Sequence, residues 1–487
     1  MDYIKGEERN QTILFPESID DYISANNSVR VIDEYVDLLD LVDLGFKKAV
    51  CPPTGRPPYD PRDMLKLYLY GYLNRIRSSR RLEHEAARNI EVIWLLKKLK
   101  PDFKTIADFR KDNKRALKAV FRNFTKLCDE WNLFGKELVA IDGSKFRACN
   151  SKKNNYNAKK LERHIKHIDE KIDAFLQEME AGDQAENTDR KPNAEEIQKR
   201  LQELRDRKKK YEDFQEQLAI TGDNEVSTTD PDARQMSNNN NGLDLSYNVQ
   251  TAVDAKHKLI ADFKVTCNPN DLGELDNMAL RAKRLFGSQA FEILADKGYY
   301  AAEDLKKCVA NHITPYVSKQ CRGNRTGDKE YLLERFTYNA ERNLYICPAG
   351  KELVYIRERK KNDKVIGYEY SNRTACRACE HRERCTTSDR GRLICRHIDQ
   401  DFLDGIDLQT KLNKDKYKQR QMIIEHVFGT IKRSWGAYYF LTKKKFSVQG
   451  ELSLSFLAYN LRRVINILGV KEMLARLRER RELIPAY

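Results

Sequence analysis

The chain has 487 residues, enough for roughly two to four domains with cores of their own. Lys and Arg number 89 against 74 Asp and Glu, a formal net charge of +15, which favours a polyanionic partner. No apolar run approaches the roughly 18 residues of a membrane span. The start, M-D-Y-I-K-G-E-E-R-N, has no secretory h-region, so a cytosolic protein is expected. Eleven Cys in such a chain point to thiols or a metal site before disulfides.

Residues 1–132 read as a helical domain. A β-prone start, Thr12 to Pro16, precedes a helix from Ser28 to Val42, and C-P-P-T-G-R-P-P then breaks the chain. Asp60 before Pro61 starts a helix with Met64, Leu65, Tyr68, Leu69 and Tyr72 as its stripe. A basic turn, Asn74 to Arg81, leads to a second helix over Leu82 to Asn89. Thr105 with Asp108 has the spacing of a capping box and opens a third helix reaching Asn132. The basic turn suits a helix-turn-helix-like DNA contact, or equally the solvated corner of a bundle.

The run Leu138 to Ile141 is a short buried strand that delivers Asp142 and breaks at Gly143. Residues 151–218 then leave the sheet. Leu161, Ile165, Ile168, Ile172, Phe175 and Met179 are spaced 4, 3, 4, 3, 4, a heptad seam. Past a polar turn, Ile197, Leu201, Leu204, Tyr211 and Leu218 continue a seam with Lys208 in one heptad place. The pattern predicts an antiparallel coiled-coil hairpin without chemistry of its own. Asn238 to Gly242 reads as a loop. A β-hairpin from Leu245 to Phe263 turns near Ala255 to His257, and Leu272 to Phe286 is helical. Phe291 to Ala295 is a second buried strand. It delivers Asp296 and breaks at Gly298; a helix over Ala302 to Val309 and a strand over Ile313 to Val317 follow.

Residues 318–407 form a Cys-containing, β-rich insertion. Cys347, Cys376, Cys379 and Cys385 suit a structural Zn²⁺ site, with His381 or Cys395 as further candidate ligands. Free thiols are the plain alternative. Residues 408–468 hold two helical stretches, and 469–487 a basic amphipathic tail with a solvated face.

The stretch Tyr417 to Trp435 reads by itself as an amphipathic helix with a solvated charged edge, and the two strand-borne Asp turn it into a candidate site. Ile423, Ile424, Val427, Phe428 and Ile431 make one apolar stripe. Glu425 and Lys432, seven residues apart, project from nearly the same edge, with Tyr417 and Arg420 one turn upstream. Two strand-borne Asp and a helical Glu are three hard oxygen ligands, suited to Mg²⁺ or Mn²⁺ and two-metal phosphoryl transfer. His426, about 100° round the helix from Glu425, is read as outside that set.

With these residues the chain resembles the DDE transposases of bacterial insertion sequences, in the branch whose last helix carries a Tyr-Arg-Glu-Lys signature. Further matching stretches are G-R-P-P-Y-D-P-R-D-M-L (Gly55 to Leu65), P-D-F-K-T-I-A-D-F-R (Pro101 to Arg110), S-T-T-D-P-D-A-R (Ser227 to Arg234), Y-N-V-Q-T-A-V-D (Tyr247 to Asp254) and the Cys cluster. The likeness covers roughly residues 25 to 468. Glu425 and Lys432 have the signature's six intervening residues; Arg420 and Glu425 have four, one more than its strictest form.

The resemblance implies a mixed α+β protein. Its ribonuclease-H-like core, residues 133–150 and 219–317, has a five-stranded mixed sheet and is completed by the helices of 408–468. It implies Asp142, Asp296 and Glu425 as catalytic ligands of Mg²⁺, and Tyr417, Arg420, Lys432 and Arg433 as phosphate contacts. It further implies cut-and-paste transposition on double-stranded DNA, by a dimer, in the bacterial cytoplasm at the nucleoid. The rivals are a nuclease of the same fold that cuts without joining, a catalytically silent DNA-binding protein, and a scaffold built on the helical hairpin.

Overall fold

A computed structural model describes residues 17–51, 53–55, 57–149, 152–184, 194–237, 242–287, 290–319 and 324–483. The expected strand at Thr12 to Pro16 and most of the loop at 238–242 lie outside these residues, as do the side chains of Met179 and Ile197 in the hairpin seam.

The N-terminal part is helical: α1 (Ser28–Asp37), α2 (Pro61–Leu73), α3 (Ser79–Arg88), α4 (Ile90–Leu95), α5 (Phe103–Asp112) and α6 (Lys114–Glu130). Asp60 starts α2 as its pattern requires, its carboxylate accepting from Arg62 N at 2.8 Å. Helix α2 is buried nearly all round. Even Lys66 is buried, its Nζ 2.6 Å from Asp33 and 2.7 Å from Asp37 of α1. Three expectations need correction. Helix α1 stops at Asp37, capped by Leu38, instead of reaching Val42. The cap of α5 is Asp102, which accepts from Lys104 N and Thr105 N at 3.0 Å; Thr105 donates its hydroxyl to Asp102. The expected third helix is also two, because Asn113 interrupts it and turns its side chain to Phe109 O and Lys47 N.

The main sheet contains β1 (Leu138–Arg147). From it the chain departs through β2 (Asn155–Asn157), α7 (Ala158–Gln184), α8 (Ala194–Thr221) and β3 (Glu225–Ser227), a helical hairpin closed at its base by the β2–β3 ladder. Leu161, Ile168, Tyr211 and Leu218 form its small core, and Lys208 takes its heptad place by pairing with Asp169 at 2.6 Å. The sheet resumes with β4 (Arg234–Ser237), β5 (Leu243–Asp254) and β6 (Ile260–Thr266). Then come α9 (Leu275–Phe286), β7 (Phe291–Ala295), α10 (Ala302–Ala310) and β8 (Ile313–Val317). The strand order is β4-β5-β1-β7-β8, with β6 also on β5. Strand β1 runs antiparallel to β5 and parallel to β7, and β7 parallel to β8. The sheet has six strands where five were expected, because Arg234–Ser237 pairs with Leu243–Ser246.

A second sheet fills the insertion: β9 (Thr337–Asn339), β10 (Leu344–Ile346), β11 (Glu352–Lys361), β12 (Lys364–Ser371), the short helices α11 (Arg373–Arg377) and α12 (Arg382–Cys385), and β13 (Leu393–His397). Its neighbours all pair antiparallel, over a core of Phe336, Tyr345, Leu353, Tyr370 and Ile394.

Helices α13 (Gln400–Leu412), α14 (Lys414–Phe428), α15 (Lys445–Leu468) and α16 (Val470–Leu483) complete the chain. Helix α15 lies between α2 and α6 on one side and β6 on the other. Its Asn460 closes two bonds on the backbone of Ile260, at 2.9 and 2.8 Å. Glu451 is 1% exposed and accepts from Leu441 N, Thr442 N and Thr442 Oγ1, with Arg77 of the basic turn 3.6 Å away. Arg77 also donates to Tyr439 O at 2.8 Å and stacks over the Tyr439 ring. It is therefore committed to holding the helical part on the core. The basic tail docks as well: Met473 and Leu477 are buried, Arg478 and Arg481 reach Glu34, and Arg480 pairs with Glu130.

Replacing Glu451 by Leu strands these donors beside a half-free guanidinium. The loss should be about 3–5 kcal/mol, as for other broken buried pairs. It should appear as a clear fall in the thermal midpoint, and an unchanged midpoint would refute the role given to Glu451.

Candidate functional site

Strand β1 was expected to end at Gly143. It runs on to Arg147, with Gly143 paired to Gln250. Glycine is required there for space: a Cβ at Gly143 would overlap the Asp271 carboxylate and the Gln250 amide. Asp142 therefore sits within a strand. Its neighbour comes from the parallel register, in which Ile141 lies opposite Ala295. One residue further along stand Asp142, within β1, and Asp296, just past the end of β7. Asp296 caps the turn after β7, its Oδ1 accepting from Gly298 N at 2.7 Å.

A further carboxylate belongs here that sequence reasoning missed. Asp271, between β6 and α9, accepts from Asn248 Nδ2 at 2.7 Å and Gln250 Nε2 at 2.6 Å. A Cβ on Gly298 would stand 2.8 Å from Asp296 Oδ1 and 3.5 Å from Asp271 Oδ2, so both carboxylates crowd one glycine. In the sequence Asp271 follows Asn268-Pro-Asn and looks like an ordinary turn former. Only the β5 amides behind it show otherwise.

Burial lifts the pKa of Asp142 to about 7, the charges of Asp296 and Asp271 add to the rise, and Arg420 opposes it. Tyr299, buried beneath and bonded to Gln250, is pushed up by burial and then by the same carboxylates.

Helix α14 supplies cations. Arg420 Nη1 lies 3.5 Å from Asp142 Oδ2. Past Phe428 the helix widens into a π-helical segment, Gly429–Ser434, a form often found at functional sites. Lys432 leaves from that segment, donating to Lys145 O at 2.6 Å with its ammonium over the Phe146 ring. Burial lowers its pKa to about 8, against the pull of Asp142. The chain after it joins the end of β1, Arg147 N bonding Tyr438 O at 2.9 Å.

The other residues of this helix stand as follows. Tyr417 is half-buried against the main core, and Arg433 is exposed. Glu425 is exposed, its Oε1 accepting from Gln421 Nε2 at 2.8 Å. His426 faces α15, its Nδ1 2.8 Å from Tyr459 Oη. The structure thus brings Asp142, Asp296, Arg420 and Lys432 together and leaves Glu425 toward solvent. Among the described residues, no group of three or more His, Cys, Asp or Glu side chains is placed to hold a metal ion. The donor chemistry of Asp142 and Asp296 nevertheless fits a hard cation, whose charge would offset the crowding that raises Asp142.

Cys347, Cys376, Cys379 and Cys385 line one cavity in the insertion. Burial pushes the Cys385 thiol up to about 11; Arg392 opposes, and the other three cysteines add to the rise. Cys395 instead turns toward Glu369 on the neighbouring strand, and His381 stacks near Tyr331.

Residues 17–112 match the family model described as a transposase domain (DUF772), and residues 346–465 match one described as a transposase DDE domain. No curated relative matches the chain. Among solved structures, a piggyBac transposase synaptic complex with hairpin DNA aligns over 95% of this chain and 80% of that one, at 10% identity and a TM-score of 0.28, too low to carry an argument. Among the described residues, no helix is long and apolar enough to cross a membrane.

The raised Asp142 predicts how metal affinity depends on pH. A proton and a cation compete for the same oxygens, so Mn²⁺ affinity should rise about tenfold per pH unit below about 7 and level off above it. In the metal-free protein the sign runs the other way. A raised carboxyl contributes stability at acid pH, which is lost as pH climbs through about 7. Calorimetric titration across that range checks the first statement; a flat profile would contradict it.

Proposed function

This chain belongs to the DDE transposases, and we propose that it moves an insertion sequence by cut-and-paste transposition on double-stranded DNA. The observation that carries this reading is the parallel β1–β7 register, which sets Asp142 beside Asp296, with Arg420 against Asp142. DNA binding alone has no need of carboxylates side by side. The strand order β6-β5-β1-β7-β8, antiparallel through β1 and parallel beyond it, supports a ribonuclease-H-like core.

In this reading Asp142, Asp296 and Glu425 hold divalent cations, Mg²⁺ or Mn²⁺. When bound, these supply activation of the attacking oxygen and neutralisation of the phosphodiester. Arg420 and Lys432 are the chain's own phosphate grips, Arg as a planar fork and Lys as a point charge. Tyr417 and Arg433 extend the contact along the DNA backbone. In the cleavage step a water oxygen bonds to phosphorus as the bond to the 3′ oxygen breaks, freeing a 3′-OH. In the joining step that 3′-OH attacks a target phosphorus and displaces the target's own 3′ oxygen. No covalent protein–DNA bond forms. Glu425 must turn inward to complete the set when DNA or metal arrives. A dimer would bring two element ends together, in the bacterial cytoplasm at the nucleoid. The four cysteines line one cavity but are not placed as a metal-holding group; in this reading they draw together around a structural Zn²⁺ that braces the insertion.

The Asp296→Asn variant should abolish cleavage and leave duplex binding within about twofold, since only a metal ligand is lost. Excision and joining of the chain's own gene with its flanks, assayed on a plasmid for wild type and Glu425→Gln, tests the whole reading. Loss in the variant supports Glu425 as a ligand. Binding of the flanks without excision by wild type would favour the silent DNA-binding alternative, to which the exposed Glu425 lends weight. Elemental analysis should find one zinc per chain, and none in the Cys376→Ser/Cys379→Ser variant. A metal-free wild type would leave the cysteines as plain thiols.

A further inference from the structure

Away from the carboxylates, one face of α6 is cationic along its whole length. Lys114, Lys118, Arg122 and Lys126 follow at intervals of four residues, with Arg115 beside the first. At about 100° per residue these five fall within roughly 120° of arc, a single stripe. The stripe forms the floor of a cleft whose other wall is Phe446 and Gln449 at the start of α15. Among the described residues, no Asp or Glu lines this cleft.

Several cations elsewhere in the helical part are matched by carboxylates. Lys66 is matched by Asp33 and Asp37, Arg88 by Glu85, and Lys136 by Asp129. Among the described residues, Lys114, Arg115, Arg122 and Lys126 make no ion pair; Arg115 lies over the Phe446 ring, which leaves its guanidinium edge open. Lys118 is the exception in direction. It is 7% exposed and donates to Phe263 O at 2.9 Å, so it anchors the stripe to the sheet. Four unmatched cations on one ridge repel one another, and an arrangement that costs energy in the free protein is relieved by a polyanion.

We propose that this α6–α15 cleft is a second DNA-binding surface, which grips the phosphate backbone of a duplex without reading its sequence. The proposal rests on the transposase reading, which makes DNA the polyanion at hand. The dimensions suit it. From Lys114 to Lys126 the helix rises about 18 Å, and a DNA strand advances about 3.4 Å per phosphate. The stripe therefore spans about five phosphates, enough for each free cation to meet one. Arg and Lys also reach guanine edges, but here their spacing along the ridge matches successive phosphates, so the contact assigned is with the backbone.

The test uses the full chain with Arg115→Gln, Arg122→Gln and Lys126→Gln combined. Lys118 is kept because it is buried, and equal thermal midpoints of the two proteins confirm the variant's fold. Affinity for a random-sequence duplex is measured over a range of salt. Each lost phosphate contact lowers the slope of log affinity against log salt by about 0.9, so the triple variant should lose about 2–3 units. It should also bind at least tenfold more weakly at low salt. An unchanged slope and affinity overturns the cleft as a DNA surface and points to an acidic protein segment as its occupant. Plasmid excision is scored in parallel to separate the two readings. If wild type excises while slope and affinity match the variant's, only the cleft proposal falls. If wild type neither excises nor binds duplex, both fall.

Discussion

Helix α15 is buried almost all round through its middle, and its apolar side chains there have to be covered on every side. Leu452, Leu454, Phe456, Leu457, Leu461 and Val464 are all buried, and no single layer could shelter them. The sheet covers one side through β6; α2 and α6 cover the other. That requirement fuses the N-terminal helices to the core. Its polar residues follow the same logic: Asn460 satisfies the backbone of Ile260, and Glu451 satisfies the loop leading into the helix. The basic turn pays into this arrangement, since Arg77 spends its guanidinium on Glu451 and Tyr439.

The candidate site depends on two opposed effects. A parallel strand pair places carboxylates side by side, and burial makes that placement costly. Arg420 recovers part of the cost, and Asn248 and Gln250 recover more by holding Asp271. What remains is a demand for positive charge where a phosphodiester and its cations would sit. Lys432 meets it from an unusual position. The π-helical segment shifts the register of the helix just before Lys432, so this lysine tucks over Phe146 toward β1 instead of following the exposed edge with Glu425.

Much of this was legible in advance. Strands of branched apolar residues announced themselves at Leu138 to Ile141 and at Phe291 to Ala295, and the strand Ile313–Val317 has the expected limits. Period and breakers carry such information locally. Caps were less legible, because Asp102 and Thr105 both have capping chemistry and only their mutual hydrogen bond shows which one leads. Asp271 was not legible. Its role lies in amides on another strand and in two glycines whose missing side chains make room for it.

The sequence by itself determined the alternation of helices and strands, the acidic residues that close two strands' apolar runs, the cationic helix beyond them and the excess of positive charge. These are properties of neighbours along the chain, and the chain states them directly. Only the tertiary structure decided which of the charges meet. Register pairs Asp142 with Asp296, a change of helical pitch carries Lys432 inward, and α15 draws Arg77 away from solvent while leaving the stripe on α6 unmatched. Those outcomes depend on residues hundreds of positions apart sharing one volume, and packing alone assigns that volume.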